Sequence, residues 1–158
     1  MVAQPQELEV EISSTGKSYD IILEAKNWAD ALTAAQAQGG ALAQFETAAE
    51  ATNFWNEVNN SELNAFLPSI PKASDGGGAS YFWLGASDIA TEGTWVWAQD
   101  FGEGTALSTD NPQWGSGSLG NEPDNYGGDQ DGLAIGLENW PSGSATDAGY
   151  GNAGSWND

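Results

Sequence analysis

The apolar positions of the chain change period twice, and those changes divide it into regions. Leu8, Val10 and Ile12 alternate with Glu9 and Glu11, the two-residue period of a half-buried strand. Residues 13–16 read as a turn, and residues 19–23, aromatic and β-branched, as a second strand. The period then lengthens. Trp28, Leu32 and Ala35 share one helical face over residues 28–38, with Asn27 as cap, Asp30 in the first turn and Gly39-Gly40 as the stop. Thr47 and Glu50 have the spacing of a capping box, and Ala51, Phe54, Trp55 and Val58 form the buried face of the helix behind them. Over residues 61–80, Pro68, Pro71 and three consecutive glycines remove any period and predict a surface loop. Residues 81–85 predict a buried strand, 94–97 a strand with alternating faces, and 133–137 another apolar strand. Residues 99–126 and 141–155 are long and irregular, a mark of functional loops. Two strands, two helices and then strands set in long loops predict an α+β fold in one domain spanning residues 1–158.

Composition narrows the chemistry. Eight tryptophans and five phenylalanines predict a core built on large aromatic units. Twenty-three acidic residues face three lysines, with no arginine or histidine, for a formal charge of −20. That balance excludes nucleic acid as a partner and disfavours anionic membranes, because no basic patch can replace phosphate counterions. Without cysteine or histidine, disulfides and thiolate nucleophiles are excluded and zinc sites are disfavoured. No window approaches the roughly 20 apolar residues of a membrane span. Residues 1–6 lack the basic start and apolar run of a secretory signal, and the chain is expected to come from a larger polypeptide.

The candidate chemistry lies in one acidic loop. Glu122, Asp124, Asp129 and Asp131 stand within ten residues, around Pro123 and Gly127-Gly128, directly before the apolar strand at 133–137. Scattered acids such as Glu7, Glu9 and Glu11 need only solubilise a surface, but this cluster supplies hard oxygen ligands of the kind Ca²⁺ takes. Asn157 and Asp158 offer further oxygens. The two segments are expected to meet around a shared Ca²⁺.

The motifs, in order, resemble those of the C-type lectin-like domains. NWADALTAAQAQGGALAQFETAAEATNF is similar to that family's two-helix segment, and YFWLGASD to its W-I-G-L core strand. EGTWVW resembles the strand that follows, EPDN the E-P-N sugar loop, and GSWND the W-N-D motif. The resemblance implies a principal Ca²⁺ site at Glu122, Asp124, Gln130, Asn157 and Asp158, with a cis peptide before Pro123. It also implies an auxiliary site at Asp88, Glu92 and Asp131, with Asn125 contributing. Two adjacent sugar hydroxyls would complete the principal Ca²⁺ shell while hydrogen-bonding its ligands, and an aromatic ring (Trp114, Tyr126 or Tyr150) would pack on the sugar.

Two features depart from the family pattern. Glu122 and Asp124 are both acceptors, where the family pairs a carboxylate with an amide; the retained Glu122 and Asn157 favour fucose or mannose type glycans. The strand that closes the family fold after W-N-D has no counterpart after Asp158, so either it is missing from the chain or the extra N-terminal strand within residues 1–13 takes its place. The implied function is Ca²⁺-dependent binding of cell-surface glycans. The setting would be a module of a bacterial adhesin, extracellular or on the cell surface, among neighbouring adhesin domains and without membrane insertion. The alternative is a lectin-like module that binds a protein, peptide or ice surface. Catalysis is not expected, because the carboxylates sit in a polar loop with no histidine or cysteine beside them.

Overall fold

Side-chain caps start each of three α-helices. In α1 (Trp28–Ala37), Asn27 Oδ1 accepts from the Asp30 amide at 2.8 Å. In α2 (Ala48–Val58), Thr47 Oγ1 accepts from the Glu50 amide at 3.1 Å, while the Glu50 carboxylate reaches back to the Glu46 amide rather than to Thr47 itself. The third helix, α3 (Ser61–Phe66), corrects the loop expected over residues 61–80. Asn60 Oδ1 accepts from the Leu63 amide at 2.9 Å and so caps a new helix directly after α2. A 3-10 turn, Leu67–Ser69, places Pro68 in its first positions, where a missing N–H costs nothing.

The computed structural model describes residues 7–12, 16–97 and 105–158, the side chains of 7–12 excepted, and its described backbone groups into two compact units. The expected turn at Ser13-Ser14-Thr15 and the start of the irregular stretch at Gln99 lie outside the described residues. The first unit takes in Met1–Lys26 and Phe45–Pro71. In it β1 (Glu7–Ile12) pairs antiparallel with β2 (Lys17–Ile22), from Glu7 opposite Ile22 to Ile12 opposite Lys17. Tyr19 on β2 packs edge-on against Phe54 of α2, with centroids 4.9 Å apart, and Phe45 closes the cluster. Lys17 makes an ion pair with the buried Glu50.

The second unit takes in Asn27–Gln44 and Lys72–Asp158. Its sheet has the order β5-β4-β3-β8-β9, all antiparallel: β3 is Tyr81–Ser87, β4 Val96–Trp97, β5 Thr105–Ala106, β8 Gly132–Gly136 and β9 Trp156–Asn157. β4 is shorter than the strand expected over 94–97. β6 (Ser116–Gly117) and β7 (Gly120–Asn121) form a separate hairpin. Leu84 on β3 and Leu133 and Ile135 on β8 are fully buried, and α1 is tied to β3 by the Trp28 indole N–H donating to Leu84 O at 2.8 Å.

Four tryptophans hold the long loops against this sheet. Trp95, Trp114, Trp156 and Trp97 form an edge-to-face chain with centroid separations of 5.1, 6.2 and 5.9 Å. Such contacts add about 0.5–1.5 kcal/mol each beyond burial. Backbone bonds from Trp156 N to Gln113 O (2.7 Å) and from Gly115 N to Trp156 O (2.8 Å) fix β9 beside the loop at 113–115. β9 thereby delivers the end of the chain to the acidic loop between β7 and β8.

Candidate functional site

Glu122 follows β7 through a cis Glu122–Pro123 peptide. It is 7% exposed, and its environment is unusual for a carboxylate. Trp140 Nε1 donates to Glu122 Oε1 at 2.8 Å, whereas Glu122 Oε2 is buried with no hydrogen-bond partner. Glu122, Asp124 and Asp158 each present a carboxylate oxygen, and the three oxygens lie within 4.8 Å of one another. Asp158 comes from a segment more than 30 residues further on. Its Oδ2 accepts from the Asn125 amide at 2.7 Å and its Oδ1 from the Asp124 amide at 3.3 Å, so loop backbone fixes both oxygens. Asn125 reaches this position with a left-handed backbone, φ 48°.

A second group, Asp88, Glu92 and Asp131, also brings three carboxylate oxygens within 4.8 Å. Asp88 is 2% exposed. Its Oδ2 accepts from the Gly93 amide at 2.8 Å and so closes the turn after β3, while its Oδ1 is buried without a partner. Glu92 is exposed and Asp131 half-buried. An open cleft of about 370 Å³ is lined by residues of both groups, among them Asp88, Glu92, Glu122 and Asp158, with Trp95 and Asn125.

Burying an ionised oxygen with no partner is costly, and neighbouring like charges add to the cost. The three lysines of the chain pair elsewhere, with Glu50, Glu24 and Glu138. Without a cation the proton is the remaining counter-charge. Burial, opposed by the Trp140 N–H and reinforced by Asp124 and Asp158, pushes Glu122 up from 4.5 to about 8. Burial also raises Asp158, against the two loop amides that lower it. Orphaned buried oxygens and an all-oxygen donor set fit a hard divalent cation such as Ca²⁺, in both groups.

The remaining candidates separate by location. Asn157 is buried, and its Nδ2 donates to Tyr81 Oη at 3.1 Å. Gln130 Oε1 accepts from the Tyr126 amide at 2.6 Å, and Asn125 Oδ1 accepts from the Gln130 amide at 3.2 Å, so both side-chain oxygens already brace the loop. Tyr126 is 66% exposed beside Asp124. Tyr150 is half-buried, its ring against Gly120. Trp114 as a ligand-stacking ring is corrected: it is 5% exposed within the tryptophan chain, and its indole N–H donates to Ser108 O.

Two residues next to the first group were not foreseen as part of it, Trp140 and Tyr81. Their rings touch edge-on at 5.6 Å. Nothing in the spacing of the chain marks them, because each meets its partner across the fold. Only Trp140, an aromatic directly before the Gly/Ser-rich stretch at 141–155, could have drawn attention by composition.

No protein-family model matches the chain. Over 113 residues, 71% of the chain, it is 33% identical to C-type lectin domain family 4 member M of Nomascus concolor and 32% identical to the protein of that name from Hylobates lar. The matched stretch is 22% of the length of either relative. Among solved structures, the mouse scavenger receptor C-type lectin carbohydrate-recognition domain aligns with a TM-score of 0.46 and 17% identity, covering 83% of this chain and 68% of that one. The sequence similarity supports a C-type lectin-like domain. Among the described residues, no helix is long and apolar enough to cross a membrane.

Proposed function

We propose that the chain is a C-type lectin-like module that binds carbohydrate through Ca²⁺ held at Glu122, Asp124, Asn157 and Asp158. The observation that carries this reading is Glu122 Oε2, a buried carboxylate oxygen with no donor, on a residue whose carboxylate lies close to those of Asp124 and Asp158 beside an open cleft. A bound Ca²⁺ would offset most of the group's negative charge and leave coordination positions for two neighbouring sugar hydroxyls. Around it the protein supplies acceptors: Glu122 and Asp124 take hydrogen bonds from those hydroxyls, while the Asn125 and Asp124 amides keep Asp158 in place. Tyr126, exposed next to Asp124, offers a ring face to the apolar side of the sugar. Glu122 with Asn157 favours fucose or mannose type glycans. The group at Asp88, Glu92 and Asp131 is an auxiliary Ca²⁺ site.

The module binds and does not turn over its ligand. The strong acidity and the lack of cysteine support a place outside the cell, on a bacterial adhesin among other domains. One observation favours a second reading, in which the same face binds a protein, peptide or ice: Asp124 provides an acceptor where a sugar site of this type uses an amide donor.

Titration with fucose and mannose, with and without EGTA, separates the two readings. Sugar recognition gives millimolar binding that EGTA abolishes. Absence of monosaccharide binding in saturating Ca²⁺ contradicts it.

A further inference from the structure

Tyr81 opens β3 and carries none of the carboxylate chemistry, yet its hydroxyl sits between two groups that define its role. We propose that the Tyr81 hydroxyl is a positioning group for Asn157, fixing which end of that amide faces the Glu122 group. The inference rests on the reading of that group as a cation site.

A tyrosine hydroxyl has one proton to donate. Tyr81 Oη donates it to Gly76 O at 2.7 Å, so towards its other neighbour it can only accept. That neighbour is Asn157 Nδ2, at 3.1 Å. A reversed amide would set the Asn157 carbonyl against a hydroxyl oxygen whose proton is already engaged, two acceptors face to face. The nitrogen end of Asn157 is therefore committed to Tyr81, and the oxygen end is left to serve as a ligand.

The ring that makes this choice is itself held. It lies over Gly76 so closely that a Cβ there would come within 2.7 Å of Tyr81 Cε2. On its other side it meets Trp140 edge-on, and Trp140 in turn donates to Glu122 Oε1. Two touching aromatic residues thus orient one ligand candidate from each of two distant segments, Glu122 and Asn157. Partners of this outer kind change metal affinity by about 10–100-fold when removed, although they touch no ion.

The test is Ca²⁺ calorimetry on the full chain and three variants: Tyr81→Phe, Asn157→Asp and the two combined. Tyr81→Phe keeps the ring and removes the hydroxyl, so Ca²⁺ affinity falls by about tenfold while the melting temperature in EGTA stays within a few degrees. Asn157→Asp presents an oxygen at either end of the side chain. In that background the loss of the hydroxyl costs less than about twofold, a rescue that a merely structural role would not give. Tyr81→Phe with native affinity, or an equal loss in both backgrounds, overturns the proposal alone. A native chain that binds no Ca²⁺ overturns the cation site, and this proposal with it.

Discussion

The two carboxylate groups offer the same chemistry in different settings. In the first, Glu122 and Asp158 are buried, come from segments that meet only in the folded protein, and are fixed by an indole and two loop amides. In the second, Asp88 and Glu92 share one turn and Asp131 joins them from a distant segment; only Asp88 is deeply buried, and Glu92 is exposed, as Asp124 is in the first. A site with two buried, hydrogen-bonded carboxylates loses less freedom on binding than one with a single buried carboxylate. Under the proposed function the first group is therefore expected to be the tighter site, and an ion there would join two parts of the chain that otherwise repel. The second would adjust the rim of the same cleft, which Asp88 and Glu92 line.

The largest contrast is in the ligands themselves. Glu122→Ala lowers Ca²⁺ affinity by more than about 100-fold and abolishes sugar binding, while Glu92→Ala leaves the tighter Ca²⁺ event within about tenfold of native. Calorimetry of the two variants measures both. Equal losses would erase the distinction between the groups.

Next comes the proton. Glu122, raised from 4.5 to about 8, is protonated at neutral pH when no cation is bound. Its stabilising contribution to the cation-free fold is complete below pH 4.5 and is lost as pH rises through about 8. Ca²⁺ must displace that proton, so affinity rises by about tenfold per pH unit towards 8 and levels off above it, with protons released on binding. The melting-temperature drop caused by EGTA grows over the same window. A drop that shrinks as pH rises from 6 to about 8.5 would contradict the assignment.

A packing change sharpens the contrast from a distance. A Cβ at Gly151 would lie 2.1 Å from Trp140 Cζ2, so Gly151→Ala displaces the indole. Overpacking of this kind costs about 1–3 kcal/mol, a fall of roughly 5 °C in a thermal melt. Ca²⁺ affinity at the first group falls with it, and the Asp88 turn is unaffected. The smallest effect is at the rim: Tyr126→Ala weakens sugar binding by about threefold, the value of one exposed aromatic contact, with Ca²⁺ affinity unchanged.

Local chemistry made much of this legible. Asn27 and Thr47 mark their helices because a cap acts within three residues of itself, and the apolar run of β8 marks a buried strand because both its faces are covered, whereas β3 leaves Trp83 exposed. The acids of the loop could be read from their density around Pro123 and the paired glycines. What escaped depends on partners remote in sequence or on competition between local signals. Asn60 reads equally well as the end of α2 and the cap of α3, and Pro68 suggests a break where it starts a 3-10 turn. Trp114 has the composition of a binding ring but is buried by Trp95 and Trp156, whose approach no local pattern announces. Tyr81 and Trp140 act through contacts that span 76 and 18 residues, beyond any motif.

Anomalous diffraction from crystals grown with Ca²⁺ and fucose tests the central claim most directly. The expected map has a peak between Glu122 Oε2 and the Asp158 carboxylate, with protein oxygens at about 2.3–2.6 Å and two sugar hydroxyls completing the shell. A map with no anomalous peak there, and water alone between Glu122 and Asp158, would contradict it.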